Sequence, residues 1–157
     1  MKIIQAKLIT KKSKIAIITT RFNEFINNRL LKSCVQTLKR IGNLKSNDIT
    51  IIKVPGAYEI PITAEIIAHK KEYNAIITLG TIIKGKTRHN KFIENSLTYG
   101  LSKISITNRI PIITSILMTN NINETLERCG IKLNNKGSEA ALSALEIINV
   151  IKKINQK

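Results

Sequence analysis

The chain has 157 residues and a mass of 17.6 kDa, a length that suits one domain with a sizeable core. Its 26 Lys and Arg against 10 Asp and Glu give a formal net charge of +16. Of those cations 20 are Lys, and Ile, Lys and Asn together fill 68 positions, a skew that drift in an AT-rich genome produces without selection for a basic surface. No apolar run reaches the ~18 residues of a membrane span, and Met1 to Lys7 breaks its apolar character too early for a signal peptide. The 43% hydrophobic content excludes disorder. Cys34 and Cys129 fall inside helix-like patterns, as buried free thiols of a reducing cytoplasm do.

In chain order, Ile3 to Ile9 reads as an outlying strand and Ile15 to Thr20 as a buried one. A helix follows in which Ile26, Leu30, Cys34, Leu38 and Ile41 share a face, stopped by Gly42. Ile49 to Val54 is the next strand. Pro61 suits a first helical turn, and Ile62, Ile66 and Ala68 lead to His69-Lys70-Lys71 at a helix C-terminus. Ala75 to Leu79 is a third strand, with a helix over Lys91 to Ile106. Ile112 to Leu117 is a fourth strand, and helices over Ile122 to Cys129 and Ser138 to Ile154 close the chain. Near-continuous Ile and Val runs separated by amphipathic helices predict a parallel sheet covered on both faces. The expected fold is therefore a single α/β domain over 1–157, a three-layer αβα sandwich of flavodoxin-like type with a central four-stranded parallel sheet.

Ligands of such sheets bind beyond the carboxyl ends of the strands. The segments expected there are Arg21-Phe22-Asn23, Pro55 to Glu59 and Gly80 to His89. Gly80 to Thr87 reads G-T-I-I-K-G-K-T, a literal match to the phosphate loop G-x-x-x-x-G-K-[ST] between a strand and a helix. Nucleotide binding is thus a competing reading. Against it, such a site needs an Asp at a second strand end to hold Mg²⁺, whereas the only Asp, Asp48, precedes a strand. The interior Thr-Ile-Ile is also bulky for a loop that wraps phosphate. The general feature survives: Gly85-Lys86-Thr87 is expected to open a helix, and helix N-termini bind phosphate.

Five segments, in order and spacing, resemble the lumazine synthase family over essentially the whole chain. They are Arg21-Phe-Asn23, Val54-Pro-Gly-Ala-Tyr-Glu-Ile-Pro61, Leu79 to His89, Asn123-Glu-Thr-Leu-Glu-Arg-Cys-Gly130 and Asn135-Lys-Gly-Ser-Glu-Ala-Ala141. The resemblance implies condensation of 5-amino-6-(D-ribitylamino)uracil with 3,4-dihydroxy-2-butanone 4-phosphate, giving 6,7-dimethyl-8-ribityllumazine, phosphate and water without a metal or organic cofactor. It also assigns roles. His89 matches the catalytic histidine, suited to proton transfer near neutral pH. Phe22 stacks on the uracil ring, Glu59 accepts hydrogen bonds from ribityl hydroxyls, and backbone groups of Ala57, Tyr58, Thr81, Ile82 and Ile83 complete those contacts. Gly85, Lys86 and Thr87 cradle the phosphate with Arg128 as a charged fork, and Lys136 is a further ligand candidate. His69, by contrast, reads as a cation at a helix C-terminus.

The resemblance further implies a site between two subunits, with Arg128 and the residue at 114 donated by the neighbour, hence at least a pentamer. The uninterrupted link from Gly130 to Gly137 is similar to that of members forming a 60-subunit shell, and riboflavin synthase is the partner suggested. Three features depart from the family: Lys84 for a common Arg, Asn90-Lys91 after His89, and Thr114 where a stacking Phe is usual. A catalytically weakened shell protein is the alternative they raise. Specific nucleic-acid binding is not expected, because the lysines are scattered and aromatics are only 4% with no Trp.

Overall fold

The computed structural model describes residues 1–10, 12–85, 89–131 and 135–156. Among these, strands β1 (Ile15–Thr20), β2 (Ile49–Val54), β3 (Ala75–Ile83) and β4 (Ile112–Thr119) alternate with helices α1 (Glu24–Arg40), α2 (Ile60–His69) and α3 (His89–Asn108). Two more, α4 (Ile122–Leu126) and α5 (Lys136–Asn155), follow β4. The strands pair in parallel in the order β2-β1-β3-β4.

The alternation of side chains along a strand builds the three layers. Ile15, Ile17, Ala75, Ile77 and Leu79 point to one face and pack with α1 and α5. Ala16, Ile18 and Ile76 point to the other and pack with α2 and α3. Every residue of β1 is buried, so this central strand reads as an unbroken apolar run. Each fully buried Ile or Leu contributes about 1.5–3 kcal/mol. Small residues set the helix spacing: a Cβ on Gly137 would lie 2.1 Å from the Leu30 carbonyl oxygen, so α5 starts almost against the backbone of α1.

The elements differ from their sequence-based expectations at several places; α3 starts two residues before Lys91 and runs two beyond Ile106, and β4 continues past Leu117 to Thr119. Ile3 to Ile9 forms no strand; the segment lies along α5, where Asn149 Nδ2 donates to the Lys7 and Ile9 carbonyls and Lys153 Nζ to that of Gln5. β3 does not stop at Gly80 but continues to Ile83, in register with β4 through Ile83 opposite Thr119. The helical run that starts at Ile122 continues from α4 into a π-helical turn, Glu127–Ile131, and is broken after Cys129 by Gly130 with φ 95°, as expected. α5 begins at Lys136 rather than Ser138, because Asn135 caps it by accepting the Gly137 N–H.

The strand order places the binding region. From β1 the chain moves outward to β2, then returns across to β3 and on to β4. The order reverses between β1 and β3, and ligands of open parallel sheets bind outside the carboxyl ends at such a reversal.

Candidate active site

A cavity of about 500 Å³ opens at that reversal. Thr20 and Phe22 border it from the end of β1, Pro55 to Glu59 from the end of β2, and Thr81, Ile82, Ile83 and Gly85 from the end of β3. Asn90 and Ile93 of α3 close the remaining side. Three loops distant in sequence thus meet on one rim, as expected.

Backbone hydrogen bonds lock the first two loops together. Arg21 N–H donates to the Val54 carbonyl (2.8 Å) and Phe22 N–H to that of Pro55 (3.1 Å). Phe22 is 71% exposed and stands at the rim of the cavity. Its stem is held from behind. Asn27 is fully buried, and its Nδ2 donates to the Phe22 carbonyl (2.7 Å), the Thr20 carbonyl (3.0 Å) and Thr20 Oγ1 (2.8 Å). Asn23 takes a left-handed conformation (φ 62°) where α1 begins, and its Nδ2 reaches the Thr81 carbonyl at 3.3 Å.

In the second loop Glu59 Oε2 accepts the Gly56 N–H at 2.8 Å, which ties the turn that leads into α2. A carboxylate offers about four acceptor sites, so this bond leaves Glu59 with acceptor capacity for a ligand. The Tyr58 ring stacks on Phe92 of α3 with centroids 5.9 Å apart and planes 20° from parallel. Tyr58 is accordingly fixed against α3, and apolar surface walls that side of the cavity.

Thr81, Ile82 and Ile83 lie on strand β3 rather than in a loop. That placement corrects the phosphate-loop reading of Gly80 to Thr87. Residues 80 to 83 are paired with Ile116 to Thr119 of β4, so the first half of the motif is a ladder and cannot wrap a phosphate. β4 ends in Thr119 followed by Asn120, where the expected Asp would stand, and the nearby Glu124 carboxylate is taken up by Asn120 and Asn121. Lys86 and Thr87 lie outside the described residues. His89 opens α3, and its sequence neighbours Gly85 and Asn90 both line the cavity. Among the described residues, no three His, Cys, Asp or Glu side chains are placed to hold a metal ion.

Three expected site residues stand apart from this cavity within one chain. Thr114, on the edge strand β4, bonds Thr78 through the hydroxyls (2.7 Å) and lines a separate apolar cavity of about 340 Å³ against α3. Arg128 is exposed on the π-helical turn, and Lys136 pairs with Glu139 at the start of α5. His69 ends α2 and pairs with Glu65 (3.4 Å), in keeping with its expected structural position. Sequence reasoning missed Asn27 and Asn90. The signal for Asn27 was available: it shares the apolar face of α1 with Leu30, Cys34 and Leu38, where a polar residue requires buried partners.

Comparison with known proteins agrees with the geometry. The profile of the 6,7-dimethyl-8-ribityllumazine synthase family matches residues 12–152. A 6,7-dimethyl-8-ribityllumazine synthase of Buchnera aphidicola subsp. Baizongia pistaciae is 57% identical over 152 residues, 96% of each chain. Proteins of the same name from Blochmanniella pennsylvanica and Wigglesworthia glossinidia brevipalpis are each 51% identical, over 97% and 94% of this chain and 96% of theirs.

Proposed function

The chain belongs to the 6,7-dimethyl-8-ribityllumazine synthase family, transferases of riboflavin biosynthesis, and from that premise we propose how its own residues carry the reaction. The substrates are 5-amino-6-(D-ribitylamino)uracil and 3,4-dihydroxy-2-butanone 4-phosphate. The observation that carries the reading is the convergence of Phe22, Ala57, Tyr58, Glu59, Thr81, Ile82, Ile83 and Gly85 on one cavity.

The pyrimidine lies against the exposed Phe22 ring, with its edge toward the ends of β1 and β3, and Glu59 receives ribityl hydroxyls. The uracil's 5-amino nitrogen attacks the ketone carbon, and water leaves as the imine forms. Phosphate then departs, and the ribityl-bearing nitrogen closes the second ring with loss of another water. Each stage moves a proton at nitrogen, oxygen or carbon, and His89 serves as the shuttle. Gly85, Lys86, Thr87 and Arg128 hold the phosphate, first to orient the ketone and then to stabilise the leaving anion.

The assembly follows from the same reading. Arg128, Thr114 and Lys136 stand away from the chain's own cavity, and β2 and β4 are the sheet's edges. A neighbouring copy that presents these residues completes the site, in a ring of five. The short link between the π-helical turn and α5 matches members that build a 60-subunit shell, and riboflavin synthase is the proposed partner, as the enzyme that consumes the product. Two buried free thiols support a reducing cytoplasm, and no helix among the described residues is long and apolar enough to cross a membrane.

Mixing the protein with both substrates and following lumazine fluorescence tests the reading. Product is expected at micromolar enzyme, and His89→Ala is expected to lower kcat by about 10²-fold or more while both KM values stay near wild type. No product from the wild-type protein would overturn the function, and full-rate turnover by His89→Ala would overturn the role of His89.

A further inference from the structure

We propose that Asn27 is the positioning residue of the pyrimidine-binding half of the site, holding Phe22 and Thr81 in fixed relation from behind the cavity wall. The inference deepens the function proposed above and rests on it. Asn27 is fully buried on the first turns of α1 and does not itself line the cavity. Its amide bonds three cavity-bordering residues at once: Thr20 at the end of β1, Phe22 in the loop that follows, and Thr81 on β3.

The chemistry fixes the orientation of that amide. The Phe22 and Thr20 carbonyls can only accept, so the nitrogen must face them. The oxygen faces Thr81, whose hydroxyl donates to Asn27 Oδ1 at 2.8 Å. Thr20 Oγ1, while accepting from Asn27, donates onward to the Phe22 carbonyl at 3.3 Å. The Phe22 carbonyl therefore has two donors beneath it. Among the described residues, no buried side-chain nitrogen or oxygen of this network lacks a partner.

A satisfied buried network of this kind sets one geometry rather than many. Phe22 sits on an exposed loop, where a ring free to swing would stack poorly and lose entropy on binding. Anchoring its carbonyl to the helix and, through the same amide, to the strand that carries Thr81 preorganises the stacking ring against the pyrimidine's polar contacts. Asp at this position would turn an acceptor toward two carbonyls, and an aliphatic residue would take the Asn27 donor from both, leaving the Phe22 carbonyl only the longer bond from Thr20 Oγ1. Neither could replace the amide.

Asn27→Leu tests this, having the same branched skeleton and no group that can hydrogen-bond. The affinity for ribitylaminouracil is measured by calorimetry, independently of turnover, beside the steady-state constants for both substrates. Weakening of pyrimidine binding and a rise in its KM by about tenfold are expected, with the KM for the butanone phosphate within about twofold of wild type. In a Phe22→Ala background the same substitution should change pyrimidine KM by less than about twofold, because Asn27 acts through Phe22. Thr81→Val removes only the donor to Asn27 Oδ1 and keeps the shape; if Asn27→Leu does not accumulate folded, this variant should raise pyrimidine KM alone, by about threefold.

Parallel rises in both KM values, or effects of Asn27 and Phe22 substitutions that multiply, would overturn the inference. A wild-type protein that binds the pyrimidine but makes no lumazine would overturn the function alone, with the calorimetric comparison still deciding on Asn27. One that does neither would overturn both.

Discussion

Glu59 and Cys34 show how far a single side chain is decided by its surroundings. Glu59 was legible as a carboxylate in a Gly-Ala-Tyr-Glu turn, yet whether it only capped a helix or faced a ligand could not be read from spacing. One oxygen ties the Gly56 N–H, and Glu59 also borders the cavity. The helical period of α1 marks Asn27 as a polar residue on an apolar face, but not what it bonds. Its partners Thr20, Phe22 and Thr81 come together only when β1 and β3 pair. Cys34 was read correctly as a buried thiol of α1. Burial pushes it up to about 12, and desolvation raises Cys129 as well, with its thiol donating to the Leu126 carbonyl. At pH 8 the thiolate fraction of Cys34 is then about one in ten thousand. The native protein should resist alkylation by iodoacetamide at that pH, both cysteines should react once guanidinium unfolds it, and mass spectrometry counts the adducts. Rapid native labelling of Cys34 would mean that α1 opens readily, against the packing described.

The strands and helices were legible wherever a hydrophobic period met a clear stop. β1 and β2 coincide with their expected bounds because each is a short apolar run flanked by polar turns. The two glycines read as stops fared differently. Gly80 was read as a strand end, but β3 runs on through it, and that misreading also lent the phosphate-loop motif its plausibility. Gly130 was read as ending a helix, and its left-handed φ does break the helical run after Cys129, where Asn135 Nδ2 bonds the Cys129 carbonyl. Ile3 to Ile9 has a strand's composition, but its carbonyls are taken by Asn149 and Lys153 of α5, and it joins neither edge of the sheet. Gly137 supplies the sharpest test of helix packing. A methyl group there would meet the Leu30 carbonyl at 2.1 Å, so α5 must move away from α1. Gly137→Ala should cost about 3 kcal/mol in denaturant unfolding, although Ala is the better helix former. A variant as stable as wild type would show that the two helices have room to slide.

The charge of +16 bears on the proposed assembly. The apolar cavity at the sheet's reversal belongs to one chain, whereas Arg128 stands elsewhere on the exposed turn after α4. The resemblance to the family implies that a neighbouring copy supplies Arg128 and the residue at 114, which the fold of a single chain does not test. The edge strands β2 and β4 and the apolar cavity beside Thr114 are the surfaces through which a cyclic neighbour would dock, each interface joining unlike faces. If the site is shared in this way, two inactive variants damaged in different halves must rescue one another. His89→Ala and Arg128→Ala, each assayed alone, should make little lumazine. Produced together in equal amounts, they should recover about a quarter of wild-type activity, because random placement in a ring gives that share of interfaces with both halves intact. A mixture no more active than its two parents, beside an active wild-type protein, would contradict the shared site.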